Sequence, residues 1–204
     1  STPEGMYKEL VRMYREEGLD FSGITTFNLD EYYMIDPSNK QSYSYFMYNN
    51  LFDKVNINKN KINLLNGMTK NVIDECKRYE DKILQAGGID LQILGVGRNG
   101  HIGFNEPNFK FEAITHLVEL DKDTIKANSR FFENKQEVPT KAISLGMKNI
   151  MNSKKIVLLA NGEEKAEPVR EAIKGSIMPE TPVSILQLHP DVTIIIDKEA
   201  AKLI

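Results

Sequence analysis

The stretch IDLQILGVG, Ile89 to Gly97, decides the fold class. It is a nearly continuous apolar run closed by glycines, and such a run reads as a strand covered on both faces. Outward from it, KIVLLAN (155–161), VSILQL (183–188), VTIIID (192–197) and ITHLVEL (114–120) repeat the character downstream. ITTFNL (24–29) and INLLNG (62–67) are shorter β-prone runs upstream.

Helical spacing fills the intervals. Met6, Leu10 and Met13 mark one face of an opening helix, with Ser1-Thr2-Pro3 as polar cap and first-turn proline and Gly18 as its stop. SYSYFMYNNLFDKV (42–55) reads as an aromatic-rich helix. Val72, Cys76, Tyr79 and Ile83 share one face of a helix that ends at Gly87-Gly88, and further helices are expected near 121–132, 146–152 and 163–174. Strands alternating with helices predict an α/β fold: a Rossmann-like three-layer domain with a mostly parallel sheet flanked by helices. No repeat, low-complexity tract or linker divides residues 1–204, so one domain is expected.

With 41% hydrophobic and 27% charged residues the chain has an ordinary globular composition, which excludes disorder and fibrous repeats. A formal charge of -3 and no basic stripe argue against a nucleic-acid partner. No apolar run reaches the ~18 residues of a membrane span, so no membrane partner is expected, and with no signal peptide the cytoplasm is the default. Cys76 is the only cysteine, which rules out an internal disulfide and suits a reducing compartment. Its helical neighbours make it a core residue rather than a nucleophile. No group of His, Cys and carboxylates has metal-ligand spacing, so neither metal nor cofactor is expected.

Open α/β sheets place ligands beyond the carboxyl ends of their strands. Two polar clusters occupy such places: Asn28-Leu29-Asp30-Glu31-Tyr32, and the run GVGRNGHIGFNEP from Gly95 to Pro107. Gly95, Gly97 and Gly100 match a dinucleotide fingerprint, with Glu119 or Asp121 about 20 residues on. That fingerprint needs a helix starting at the glycines, whereas here Gly103 and Pro107 follow too soon for one. A bare tight turn, in turn, has no need of Asn99, His101, Asn105 and Glu106 together. His101 suits proton transfer to and from a sugar ring oxygen, with a nearby Asn or Glu to orient it. Asp30, read as ending another strand, could supply a carboxylate base from a second direction, or could be a simple turn cap. The same groups would serve hydrolysis. His116 and His189 read as packing or backbone-bonding residues. Ser1 and Thr2 at the first helix, Arg130 in NSRFF and Lys165 in NGEEKAEP are candidate anion contacts.

FNLDEYY, LGVGRNGHIGFNEP, ANSRFF and SILQLHP, in that order and supported by SYSYFM and INLLNG, resemble the glucosamine-6-phosphate deaminases over essentially the whole chain. The related 6-phosphogluconolactonases typically carry arginine after the Asp-Glu pair, where this chain has Tyr32, and a different continuation after the histidine. The resemblance implies conversion of glucosamine 6-phosphate to fructose 6-phosphate and ammonia, without metal or cofactor. It implies that Asp30 is the base moving a proton from the second carbon to the first. His101 would open the pyranose ring, assisted by Asn99 and Glu106, while Ser1, Thr2, Arg130 and Lys165 would bind the sugar phosphate. Many relatives have aspartate where this chain has Asn99, and an amide can only orient. Family members normally begin with a strand, a helix and a second strand before the Ser-Thr-Pro run and end in a longer tail, so both segments are expected to be missing from the given sequence. Allosteric members carry serine, arginine and lysine after the proline where this chain has Phe109, His116 and Val118. Activation by acetylglucosamine 6-phosphate is therefore not expected, and a monomer or small homo-oligomer is. Residues 109–132 are the candidate lid. The competing readings are a lactone hydrolase and an inactive sugar-phosphate sensor.

Overall fold

The computed structural model describes residues 2–132 and 134–204, with Lys135 described by its backbone alone. In chain order the helices are α1 (Glu4–Glu16), α2 (Tyr43–Asn50), α3 (Val72–Gln85), α4 (Lys122–Asn128), α5 (Met147–Met151) and α6 (Ala166–Lys174). The strands are β1 (Thr26–Phe27), β2 (Asp30–Tyr32), β3 (Ile62–Asn63), β4 (Leu91–Gly95), β5 (His116–Glu119), β6 (Lys141–Ser144), β7 (Lys155–Ala160) and β8 (Val192–Ile196).

The longest strands form a wholly parallel sheet in the order β4-β7-β8, with Leu94 opposite Leu158 and Leu158 opposite Ile194. β1 and β3 form a second parallel pair. A third sheet, β2-β6-β5, is antiparallel throughout. The α/β architecture holds, and helices and parallel pairing dominate it.

The main core joins Leu94, Ile156 and Leu158 of the parallel sheet to Ile102, Ile150, Val169 and Val183, all but excluded from water. Each such side chain contributes roughly 1.5–3 kcal/mol through burial. Cys76, Tyr79 and Ile83 of α3 pack in a second cluster with Leu65, Ile143 and Leu145, as the helical spacing predicts.

Three local expectations are overturned. VSILQL is not a strand: Pro182–Leu188 is a 3-10 helix, with Pro182 at its start and the N–H of Ser184 donating to the carbonyl of Thr181 at 2.9 Å. An apolar run cannot by itself tell a buried turn of helix from a strand, and a leading proline tips it to the helix. The opening helix has no polar side-chain cap, because Pro3 occupies the cap position and the helix starts at Glu4. Finally, Asp30 does not end a strand. It opens β2, just after the chain has left the parallel pair at Phe27. β6 is absent from the sequence reading; it is a four-residue strand whose Ala142, Ile143 and Ser144 are fully buried.

Candidate active site

The loop from Gly97 to Glu106 is shaped by hydrogen bonds and close approach. The N–H of Gly97 donates to the carbonyl of His101 at 2.8 Å, folding the loop back on itself. The His101 ring then lies over Gly97 so closely that a Cβ there would sit 2.3 Å from Cε1, so only glycine fits. Gly100 takes φ +84°, a left-handed conformation that glycine adopts freely.

Within this loop Asn99, His101 and Glu106 form one hydrogen-bonded unit. Asn99 Nδ2 donates to Glu106 Oε2 at 2.8 Å, and His101 Nδ1 lies 3.2 Å from the same oxygen. The backbone N–H of His101 donates to Asn99 Oδ1 at 3.3 Å. The other carboxylate oxygen, Glu106 Oε1, accepts from the N–H of Asp121 at 3.3 Å, and Thr124 Oγ1 lies 3.4 Å from His101 Nδ1. The 109–132 segment is thus docked on this unit through Asp121 and Thr124. Burial pushes the Glu106 carboxyl up, but the His101 side chain and its charge, with Thr124 and Asn99, outweigh it and hold the group below its usual range. Glu106 is therefore an anion suited to holding His101 with Nδ1 turned inward, leaving Nε2 for chemistry.

Asp30 reaches the same region through the residues beside it. A Cβ on Gly103 would sit 3.3 Å from Leu29 Cγ and 3.0 Å from Oγ of Ser144, the residue opposite Asp30 across β2-β6, and Ser144 Oγ accepts the Phe104 N–H at 3.0 Å. Phe104 stands between the His101 ring, with centroids 6.2 Å apart, and Tyr32, with centroids 5.5 Å apart. Burial raises the Asp30 carboxyl from 3.8 to about 8, with the neighbouring Glu31 charge adding to the rise. Glu31 is itself buried and accepts backbone N–H bonds from Tyr32 at 2.9 Å and, at the start of α2, from Tyr43 at 2.9 Å and Ser44 at 2.8 Å. An anion at a helix N-terminus is well placed. Burial, then the Asp30 charge, pushes the Tyr7 phenol up to about 12, so α1 also faces this carboxylate.

A cavity lies beside Glu106 and a separate cleft beside Thr2, and Asp30 and His101 line neither. One, of about 260 Å³, includes Glu106, Lys110, His116, Val118 and Asp121. The other, of about 550 Å³, is a cleft at the carboxyl ends of β7 and β8, between Leu159, Ala160, Ile195 and Asp197 and the start of α1 at Thr2 and Met6. Of the candidate anion contacts, Thr2 lines that cleft and Ser1 lies outside the described residues. Arg130 follows α4 in the 3-10 turn Ser129–Phe131, its guanidinium 4.7 Å from the Phe131 ring. Lys165 ends the turn Glu163–Lys165 before α6, and its ammonium is held below its usual range, chiefly by burial. Arg98 and Arg130 add to that lowering through their charges, so these three cations share one neighbourhood.

The tyrosines about Asp30, the Thr124 contact and Arg98 escape the sequence reading. Tyr7 had no local motif to mark it, Tyr43 sits in SYSYFM without any sign that it faces Asp30, and Arg98 sits inside a motif whose other residues draw the attention. His189 bonds backbone, as expected: Nε2 lies 2.7 Å from the Ser153 carbonyl, and Nδ1 accepts from the Asp191 N–H at 3.1 Å. Among the described residues no group of three or more His, Cys, Asp or Glu could hold a metal ion. No described helix is long and apolar enough to cross a membrane.

The model of the family described as glucosamine-6-phosphate isomerases/6-phosphogluconolactonase matches residues 1–195. A glucosamine-6-phosphate deaminase of Clostridium acetobutylicum is 61% identical over 203 residues, covering 100% of this chain and 84% of that protein. A glucosamine-6-phosphate deaminase of Clostridium botulinum strain Langeland is 62% identical over 200 residues, covering 98% of this chain and 82% of that protein. Among solved structures, a monomeric glucosamine-6-phosphate deaminase superposes with a TM-score of 0.97 at 43% identity, over 100% of this chain and 85% of that one. A 6-phosphogluconolactonase from Leishmania guyanensis superposes with a TM-score of 0.76 at 20% identity, over 99% and 82%, a likeness of fold alone.

Proposed function

Since the chain belongs to the glucosamine-6-phosphate isomerase/6-phosphogluconolactonase family, we propose that it converts glucosamine 6-phosphate and water to fructose 6-phosphate and ammonia, in one domain spanning residues 1–204. The observation that carries the reading is the His101–Glu106–Asn99 unit, packed through Gly103 and Phe104 against the start of the Asp30 strand. That arrangement offers an imidazole and a carboxylate from separate segments, in a chain 61% identical to a deaminase.

In this reading His101, oriented by Glu106, passes a proton to the ring oxygen as the pyranose opens. Asn99 bonds both Glu106 and the His101 backbone and so fixes the unit without exchanging protons. Asp30 takes the proton from the second carbon and returns it to the first, which turns the open aminoaldose into the imine of a ketose. Water adds at that imine carbon and ammonia leaves, so the net change is an isomerising deamination. A carboxyl with an affinity near 8 binds protons tightly enough to abstract one from carbon. The substrate's ammonium, placed beside it, would favour the ionised form the first step needs. Thr2, Ser1, Arg130 and Lys165 would hold the phosphate.

The deciding assay follows ammonia release from glucosamine 6-phosphate without added metal, beside acid release from 6-phosphogluconolactone. Ammonia with the first substrate and no acid with the second supports the deaminase; the reverse supports a lactonase. Binding of the aminosugar phosphate without turnover would make the protein a sensor. The 0.97 superposition on a monomeric deaminase supports a monomer here, which light scattering would test.

A further inference from the structure

The charges around Lys165 are arranged around a single carboxylate. The Lys165 side chain is only 18% exposed, and its Nζ lies 3.9 Å from Oε1 of Glu164. Oε2 of the same carboxylate accepts from Nη2 of Arg98, a residue 66 positions away in the His101 loop. One anion thus stands between two cations brought from separate segments. The adjacent Glu163 is taken by Lys202 at 2.6 Å, so Glu164 alone of this acidic pair faces the cations. Arg130 adds a third positive charge within reach of Lys165.

Such a cluster is unstable without an anion, because three like charges repel and a largely buried ammonium needs a partner. The Arg98–Glu164 pair that answers this need is cheap to open, since both side chains are about half exposed, at 54% and 43%. A phosphate dianion outbids a carboxylate for these donors, having more charge and three acceptor oxygens for an arginine fork.

We propose that Glu164 is a displaceable counter-ion that neutralises Arg98 and Lys165 until the phosphate of the sugar takes its place, with Arg98 then joining Arg130 and Lys165 as a phosphate-binding cation. The proposal rests on the sugar-phosphate reading above. It also explains why an arginine sits next to Asn99: phosphate captured by Arg98 pulls on the loop that carries His101, so that binding the remote end of the substrate orders the reacting end.

The test uses the two partners of one ion pair against each other. Arg98→Gln and Glu164→Gln are made in the full chain, with Arg98→Lys as a charge-keeping control. Inorganic phosphate affinity is measured by calorimetry, and KM and kcat for glucosamine 6-phosphate by ammonia release. Arg98→Gln should weaken phosphate and raise KM by about tenfold, the loss of one charge-assisted contact, and Arg98→Lys should recover part of that loss. Glu164→Gln should tighten phosphate and lower KM by about threefold, because a competing anion is gone. In both, the change should fall on KM more than on kcat. Loss of affinity in both glutamine variants would mean a structural ion pair and overturn the proposal, as would no change in either. If the opposite shifts in phosphate affinity appear in a protein that releases no ammonia, the deaminase reading fails and the counter-ion assignment stands.

Discussion

Replacing Asp30 by asparagine separates what this carboxyl does for chemistry from what it costs the fold. In the unfolded chain its affinity is the ordinary 3.8, and in the folded protein it is about 8. Below the lower value both states hold the proton and folding bears no penalty. As pH rises from there, the unfolded chain ionises while the folded protein must keep the proton, so stability falls until the folded carboxyl also ionises near 8. Between pH 5 and pH 8 this spans about three tenfold steps of acidity, on the order of 4 kcal/mol at ~1.4 kcal/mol each. Asp30 keeps partial contact with solvent, so we halve this to about 2 kcal/mol. For a chain of this size each kcal/mol moves Tm by roughly 2–4 °C, giving ~4–8 °C. Asparagine has no charge to desolvate, so the Tm of Asp30→Asn minus that of the parent should grow by that amount from pH 5 to pH 8. Titrating groups remote from Asp30 cancel in the difference. Differential scanning calorimetry at matched ionic strength makes the measurement, and ammonia release should fall ~10²–10⁴-fold for loss of a general base. A difference that stays flat or shrinks with pH would show that the folded protein welcomes the Asp30 charge, and the desolvation argument would be wrong. Near-normal turnover would remove Asp30 from the reaction.

Gly97→Ala forces a methyl into the His101 ring, 2.3 Å away. Ammonia release should fall at least ~10-fold, with stability lowered by about 1–3 kcal/mol in urea melts; a fully active, equally stable variant would contradict the loop geometry. Glu106→Gln keeps the shape of the side chain but removes the charge that holds His101. The expected result is a kcat lower by ~10–100-fold with KM little changed, and a loss seen only in KM would place Glu106 in substrate binding instead. Acetylglucosamine 6-phosphate should leave the rate curve hyperbolic and unshifted, because Phe109, His116 and Val118 offer no set of cations for a second sugar phosphate. A sigmoidal curve that the compound straightens would refute this.

The parallel sheet was legible because its strands are nearly continuous apolar runs, although the structure buries them alternately, with Leu91 and Ile195 exposed. IDLQILGVG, KIVLLAN and VTIIID carry their apolar character within the segment itself, and each is a strand at that place. The α3 face was legible for the same reason, since the period of Val72, Cys76, Tyr79 and Ile83 needs no knowledge of a partner. The functional loop announced itself through an unusual density of polar residues after a buried strand, and Asn99, His101 and Glu106 are indeed hydrogen-bonded to one another. VSILQL misled because so short a run is too brief for periodicity to choose between a strand and a 3-10 turn. β6 passed unnoticed because a strand of four residues has no pattern of its own until β2 and β5 flank it.

Local order thus determined which segments would be strands and helices, and which residue types could carry proton transfer. Tertiary structure alone decided what those residues experience. The raised affinity of Asp30 comes from burial first and then from the Glu31 charge, and the Asp30 charge in turn helps push up the phenols of Tyr7 and Tyr43, which separate segments of the chain contribute. Likewise Glu164 meets Arg98 across 66 positions, a distance at which sequence holds no record of charge pairing. Electrostatic energies depend on separation and solvent access in space, and neither is a property of neighbours along a chain.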